Sequence, residues 1–299
     1  MYAYSVHQLK KILDDILKRN LNDDAWQWLV QHAGPDGSQP FGKRIAIAFV
    51  AAPRKTSRKQ LEVTADELAA LSKARPGFDP ATWTVDQLVR GWLLLQLDTA
   101  DEQRYFAFID NLFLSAEMNE LVALYSSLPL LAFPERWQKR CAEGIRSNIG
   151  QVLEAVMCRN PFPSERLDEG AWNQLVLKAI FTEKPLLEIV HLQERANASL
   201  AKSISDFAHE RWAAHRQVSP LVWICVERFV DETIIVDLRK LAGSLDSHER
   251  KAAALVCAAS EYPPARELLD KNSGLRAYLS DSDFSWKGLE KEMLSEQLN

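Results

Sequence analysis

Apolar residues recur through this chain at the spacing of one helix face. Leu9, Ile12, Leu13, Ile16 and Leu17 fall at i, i+3, i+4, i+7 and i+8, the stripe that an α-helix turns toward a core. The sequence also carries helix-start signals. Thr64 to Glu67 reads T-x-x-E before Leu68 and Leu71, and Thr84 to Gln87 repeats the device before Leu88, Trp92 and Leu95; both have the form of a capping box. Ser219-Pro220 fits an N-cap followed by proline at the first helical position. Ile45, Ile47 and Phe49 alternate with alanine, as a strand would. A lone strand would have no partner here, so the segment is read as helix. Breakers fall at Gly34-Pro35-Asp36-Gly37, Pro76-Gly77, Asn160-Pro161-Phe162-Pro163 and Pro263-Pro264. They divide the chain into roughly a dozen helices of ~10–18 residues.

Composition agrees with that reading. Only 11 of 299 residues are glycine, about half the usual share, which disfavours folds that cradle phosphates on glycine turns. Apolar residues at 47% and charged residues at 26% exclude disorder and a disulfide-stapled miniprotein. Gln103 to Leu131 and Glu249 to Ala277 each read as two short apolar helices, the size of one α-solenoid unit. The expected fold is all-α: stacked antiparallel helical hairpins, a HEAT-like α-solenoid, in one continuous domain over 1–299.

Several function classes lose support. A net charge of −5 offers no basic excess for nucleic acid, and the cluster Arg54, Lys55, Arg58 and Lys59 reads as a solvated loop. Cys141, Cys158, Cys225 and Cys257 stand far apart, so no zinc knuckle or redox pair is encoded, and they read as small core residues in a reducing compartment. The apolar run Ile45 to Ala52 is far short of the ~20 residues that cross a bilayer. No secretory signal is legible, so a cytoplasmic location without membrane insertion is expected. Gly37 to Lys43 matches GxxxxGK but is followed by Arg44, where a P-loop needs Ser or Thr. His209-Glu210 begins like a zinc motif, but the next histidine, His215, is six residues on rather than four. Asp14-Asp15 and Asp23-Asp24 lack the further Asp of prenyl-transfer motifs. No cofactor, metal site or catalytic residue is expected from these motifs.

Polar residues on apolar faces are more informative. Asn148 sits at an apolar edge near Val152 and Ala155, and Asn173 lies between Leu177 and Ile180. Arg211 projects with Leu200, Ile204, Phe207 and Ala208, while Asp206, His209 and Glu210 project together on the other side. A buried amide or guanidinium needs partners. Such residues either clamp an irregular loop, with Asn160 to Pro163 the obvious candidate, or line a ligand pocket.

One stretch is specific. Asn160-Pro-Phe-Pro163, Asp168-Glu-Gly-Ala-Trp-Asn-Gln174 running on to Leu177-Lys-Ala-Ile-Phe181, Glu194-Arg-Ala-Asn197 and Ala208-His-Glu-Arg-Trp-Ala-Ala214 together resemble the EboA family of bacterial proteins. The core of the resemblance is 148–216, with looser pattern from Leu121-Val-Ala-Leu-Tyr125 to the Trp286 tail. His215 and Val190-His191-Leu192 depart from it. The resemblance implies a metabolite-traffic factor without an assigned reaction, from a gene cluster tied to secondary metabolism. That cluster is associated with moving a metabolite such as the cyanobacterial sunscreen pigment, or its precursor, out of the cytoplasm. Its other products are a membrane prenyltransferase-like protein and hydrolase-like and isomerase-like enzymes.

The expectation that follows is a non-enzymatic accessory protein. It would take a small aromatic or apolar metabolite in a helical groove, through Trp172 and Trp212 for apolar contact and Asn148, Asn173 and Arg211 for polar groups, with Lys178, His209 and Glu210 at the rim. A scaffold that recruits proteins of the same gene cluster is the alternative. An enzyme using Asp206, His209 and Glu210 as acid and base is the third.

Overall fold

The computed structural model describes residues 1–34 and 42–297. Among them the chain is all-α. No strand forms, and the only extended pairings are two isolated bridges, Gln60 with Thr84 and Cys158 with Ile189. Gly37 to Phe41 of the GxxxxGK match lie outside the described residues. Contacts divide the chain into two compact units, Met1–Ala171 with Glu188–Val190, and Trp172–Leu187 with His191 onward.

The first unit holds α1 (Val6–Asn20), α2 (Asp23–Ala33), α3 (Lys43–Lys55), α4 (Ala65–Ala74), α5 (Val85–Leu94), α6 (Glu102–Ser115), α7 (Met118–Ser126), α8 (Gln138–Ile145), α9 (Gly150–Met157) and α10 (Phe162–Arg166). The stripe read from the sequence is the buried face of α1: Leu9, Leu13, Ile16 and Leu17 are fully covered. The alternating run is helical. Ile45, Ala48, Phe49 and Ala52 bury at i, i+3, i+4 and i+7, and Ile47 faces solvent. Helix α3 packs on α5, α5 on α7, and α7 on α9.

At the centre of this unit, α5 is buried at every residue but Gln87. It carries two charges one turn apart. Arg90 Nη1 donates to Asp86 Oδ2 at 2.7 Å and Arg90 Nε to the Phe49 carbonyl at 3.0 Å. Both ions are thereby partnered, which a buried pair requires. A second buried arginine, Arg75, forks onto both oxygens of Glu165 at 2.6 and 2.7 Å and donates to the Pro129 carbonyl. The Asn160 loop is closed by its own amide. Asn160 is 3% exposed; Nδ2 donates to the Tyr125 and Ala155 carbonyls and Oδ1 accepts from Phe162 N–H.

Helix α11 (Glu169–Phe181) leads into the second unit. There follow α12 (Ala198–Ala213), a 3₁₀ turn at Pro220–Cys225, α13 (Ile234–Ala242), α14 (Ser247–Ala259), α15 (Pro263–Lys271), α16 (Ser273–Tyr278) and α17 (Trp286–Gln297). Helix α14 is its hub, in contact with α13, α15, α16, α17 and the 3₁₀ turn. Its buried face, Ala252, Ala253, Ala254, Val256 and Cys257, is made of small residues that admit close neighbours. Trp223 is fully buried here. Glu227, 9% exposed, accepts from the Trp286 indole at 2.5 Å and from the Gln193 amide at 2.9 Å.

No disulfide forms among the described residues; Cys141, Cys225 and Cys257 are buried, as expected of core residues, and Cys158 is half-buried. Among the described residues no helix is long and apolar enough to cross a membrane.

Candidate functional site

Helix α12 starts cleanly because Asn197 caps it, its Oδ1 accepting from Leu200 N–H at 2.9 Å. From that start Ser205, Ala208, His209 and Trp212 fall on one side, at i, i+3, i+4 and i+7. That side meets α13, where Asp237 is 1% exposed. Ser205 Oγ donates to Asp237 Oδ2 at 2.6 Å, and His209 Nε2 lies 2.5 Å from Oδ1. An ionised carboxylate only accepts, so the proton between His209 and Asp237 sits on Nε2. In the neutral ring Nδ1 is then the acceptor, without a hydrogen-bond partner among the described residues. The imidazole is fixed from below yet 49% exposed. Beside it Trp212, half-buried, stands 5.8 Å from the imidazole and stacks on Trp223 at 6.0 Å and 20°. The Lys240 ammonium lies 3.7 Å from the centre of the Trp212 ring, a cation–π contact.

This group offers an oriented acceptor, an indole and a cation on one surface. A serine relay is not assembled. The Ser205 hydroxyl is spent on Asp237 rather than on the imidazole, whereas a nucleophilic serine needs its proton taken by the histidine. The acid–base trio also comes apart. Asp206 and Glu210 are exposed, and the partner of His209 is Asp237, on the next helix.

The other candidate residues have different surroundings. Trp172 is fully buried under the Arg195 guanidinium, 4.9 Å from its ring, and its indole nitrogen has no hydrogen-bond partner. Asn173 and Asn197 exchange amide hydrogen bonds at 3.1 and 2.8 Å, so Asn173 fastens α11 to the capping residue of α12. Lys178 is half-buried. Arg211 is half-buried; its Nε donates to the Gln217 carbonyl at 3.0 Å, closing the turn after α12. Its guanidinium also lies 5.9 Å from the Phe207 ring, which Phe181 meets edge-on at 5.1 Å while remaining 61% exposed. Asn148 belongs to the first unit and precedes α9 as an exposed loop residue, not a helical one. Helix α9 begins only at Gly150, so projecting Asn148 onto its wheel was in error. Thus His209 and Trp212 come together, and Asn173 and Arg211 act as clamps.

Sequence reading missed Asp237, Ser205, Lys240 and Trp223. Asp237 left a signal: an acid on the stripe of Ile234, Leu238 and Leu241, where burial demands partners.

The first unit contains a cavity of about 520 Å³ lined by Arg19, Asn20, Asn22, Thr56, Lys59 and Glu62, among others. Polar and apolar atoms line it about equally, and no tryptophan is among them. Its amide and guanidinium are engaged internally: Arg19 with Glu67 and the Glu62 carbonyl, Asn20 with both backbone groups of Glu62.

A family model described as metabolite traffic protein EboA matches residues 9–227. No curated protein and no solved structure is similar enough to match.

Proposed function

The chain belongs to the EboA family of metabolite traffic proteins, and from that premise we propose that it works by binding a small metabolite, without catalysis. The observation that carries this is the surface of α12 and α13. A buried carboxylate holds His209 with an open acceptor nitrogen next to a half-buried indole. Such a pair suits a flat conjugated molecule that bears one hydrogen-bond donor. The ring lies against Trp212, the donor meets Nδ1, and the Lys240 ammonium takes any negative charge. Pre-fixing the imidazole lowers the ordering entropy of binding. Asn173 holds the capping residue of the helix that carries this surface, and Glu210 follows His209 on it.

The test is native mass spectrometry of the full chain after exposure to a small-molecule extract of the cells it comes from. A bound mass is expected, and it should disappear in both His209→Ala and Trp212→Ala while circular dichroism is unchanged. No bound mass, or one that survives both substitutions, removes the reading.

One observation favours the scaffold alternative. Exposed Phe181 with half-buried Phe207 and Arg211 forms an aromatic and arginine group, the composition of protein-interface anchors. That reading expects other products of the gene cluster to co-purify with the chain, and Phe181→Ser to release them.

A further inference from the structure

Beyond residue 227, where the family match ends, helices α14 and α17 bring three metal-ligand side chains together. His248 is the second residue of α14. Glu292 and Glu296 lie one turn apart on α17, which packs against α14. One ligand atom from each of the three lies within 4.8 Å of the others. The spacing is unlike that of a hydrogen-bonded cluster. His248 Nε2 stands 3.8 Å from Glu292 Oε1 and 3.6 Å from Glu296 Oε1, beyond hydrogen-bond reach. That nitrogen is also buried and has no partner. Two ligands each about 2.1 Å from a tetrahedral ion stand about 3.4 Å apart, close to the separations found.

The far edge of the ring is prepared too. Asp246 Oδ1 lies 3.4 Å from His248 Nδ1. A carboxylate there favours the proton on Nδ1 and turns the Nε2 lone pair toward the two glutamates, the usual support of a metal-bound histidine. Asp246 is itself fixed as the N-cap of α14, accepting from His248 N–H at 2.8 Å. One group opposes the ion: the Lys251 ammonium is hydrogen-bonded to both oxygens of Glu292.

We propose that His248, Glu292 and Glu296 bind one divalent transition ion of the zinc class, with the remaining coordination position open to water. One imidazole with two carboxylates selects such an ion over magnesium or calcium, which prefer all-oxygen sites. The ion ties α17 to α14, and Lys251 weakens it by sharing Glu292.

The experiment uses the full chain, stripped with a chelator and titrated calorimetrically with zinc, and in parallel with magnesium and calcium. One zinc per chain is expected, with magnesium and calcium at least tenfold weaker. His248→Gln and Glu296→Gln should each weaken zinc at least tenfold. Glu296 is an exposed side chain, so its variant retains the fold. Lys251→Ala should tighten zinc several-fold, and zinc should slow amide exchange in 286–297. The proposal is overturned by absence of saturable zinc binding. It is equally overturned by zinc affinity unchanged in His248→Gln and Glu296→Gln, or by magnesium binding as tightly as zinc.

Discussion

Replacing Asn160 by alanine tests how the first unit holds its proline-rich loop. The side chain is 3% exposed and makes three hydrogen bonds, to the Tyr125 and Ala155 carbonyls at 3.1 and 2.9 Å and from Phe162 N–H at 3.0 Å. Each net bond contributes about 1 kcal/mol, and each buried group left unpaired costs about 1–3 kcal/mol. Asn160→Ala is therefore expected to destabilise the first unit by about 3 kcal/mol or more, near the upper end of single-substitution effects. Asn160→Asp discriminates further. It keeps the acceptor for Phe162 N–H but aims a carboxylate at two carbonyl oxygens, so at neutral pH it should cost more than alanine. Urea unfolding gives the total, and amide exchange over 150–166 localises it, which matters because two compact units need not unfold as one transition. An Asn160→Ala protein within ~1 kcal/mol of the parent, with unchanged exchange at 158–163, would mean that Pro161 and Pro163 hold the loop without the amide.

Three further outcomes follow from the same structure. Gly144→Ala, although it favours helix by ~1 kcal/mol, should destabilise by about 1–3 kcal/mol. The new Cβ would stand 2.6 Å from Tyr125 Cε1 and Val156 Cγ2, and thermal melting reads the sign. Thiol labelling in the folded state should proceed at Cys158 first. Burial pushes the Cys225 and Cys257 thiols up to about 12, Glu227 adding to the effect at Cys225, and raises Cys141 further; peptide mapping after brief alkylation checks the order. At Glu67, burial pushes the carboxyl up, but hydrogen bonds from Thr64 and Arg19 outweigh it and hold the group below its ordinary value. Its stabilising contribution is therefore present above the unfolded-state pKa and lost as pH falls through the folded one. Glu67→Gln should flatten the acid limb of a stability–pH curve, and an unchanged limb would contradict the assignment.

Local rules in the sequence were readable wherever neighbouring residues alone decide the outcome. Thr64 and Glu67 form the reciprocal capping box expected of them. At Thr84 the same pattern failed: the residue caps α5 by position, but its hydroxyl goes to Asp86, and Gln87 reaches Ser126 on α7. A neighbouring acid takes the Thr84 hydroxyl, and a tertiary partner takes the Gln87 amide. The prolines divide helices where expected, and they do so by opening the next one: Pro163 and Pro263-Pro264 stand in the first turns of α10 and α15, because a first-turn residue needs no amide donor. Ser219-Pro220 likewise opens a 3₁₀ turn, without a side-chain cap. His191 and His215 sit at φ 60° and 54°, left-handed positions that glycine takes most easily. The buried arginines are Arg75 and Arg90, not Arg211. Arg90 was legible, one turn from Asp86 on an otherwise apolar helix, whereas Arg75 needs Glu165, ninety residues away. For the candidate site, His209 and Trp212 could be read from α12 alone. Asp237 and Lys240 come from α13, and no periodicity joins residues across a turn of irregular chain.

The Glu227 carboxylate has a practical bearing on where this protein can be divided. The recognisable segment stops at 227, but the last acid of that segment holds the indole of Trp286. A chain shortened at the family boundary would strand a buried negative charge on a single amide donor and uncover the 3₁₀ turn that α14 and α17 shelter. Domain limits taken from sequence similarity would thus yield an insoluble fragment. The portion to express is the one that keeps the C-terminal helix.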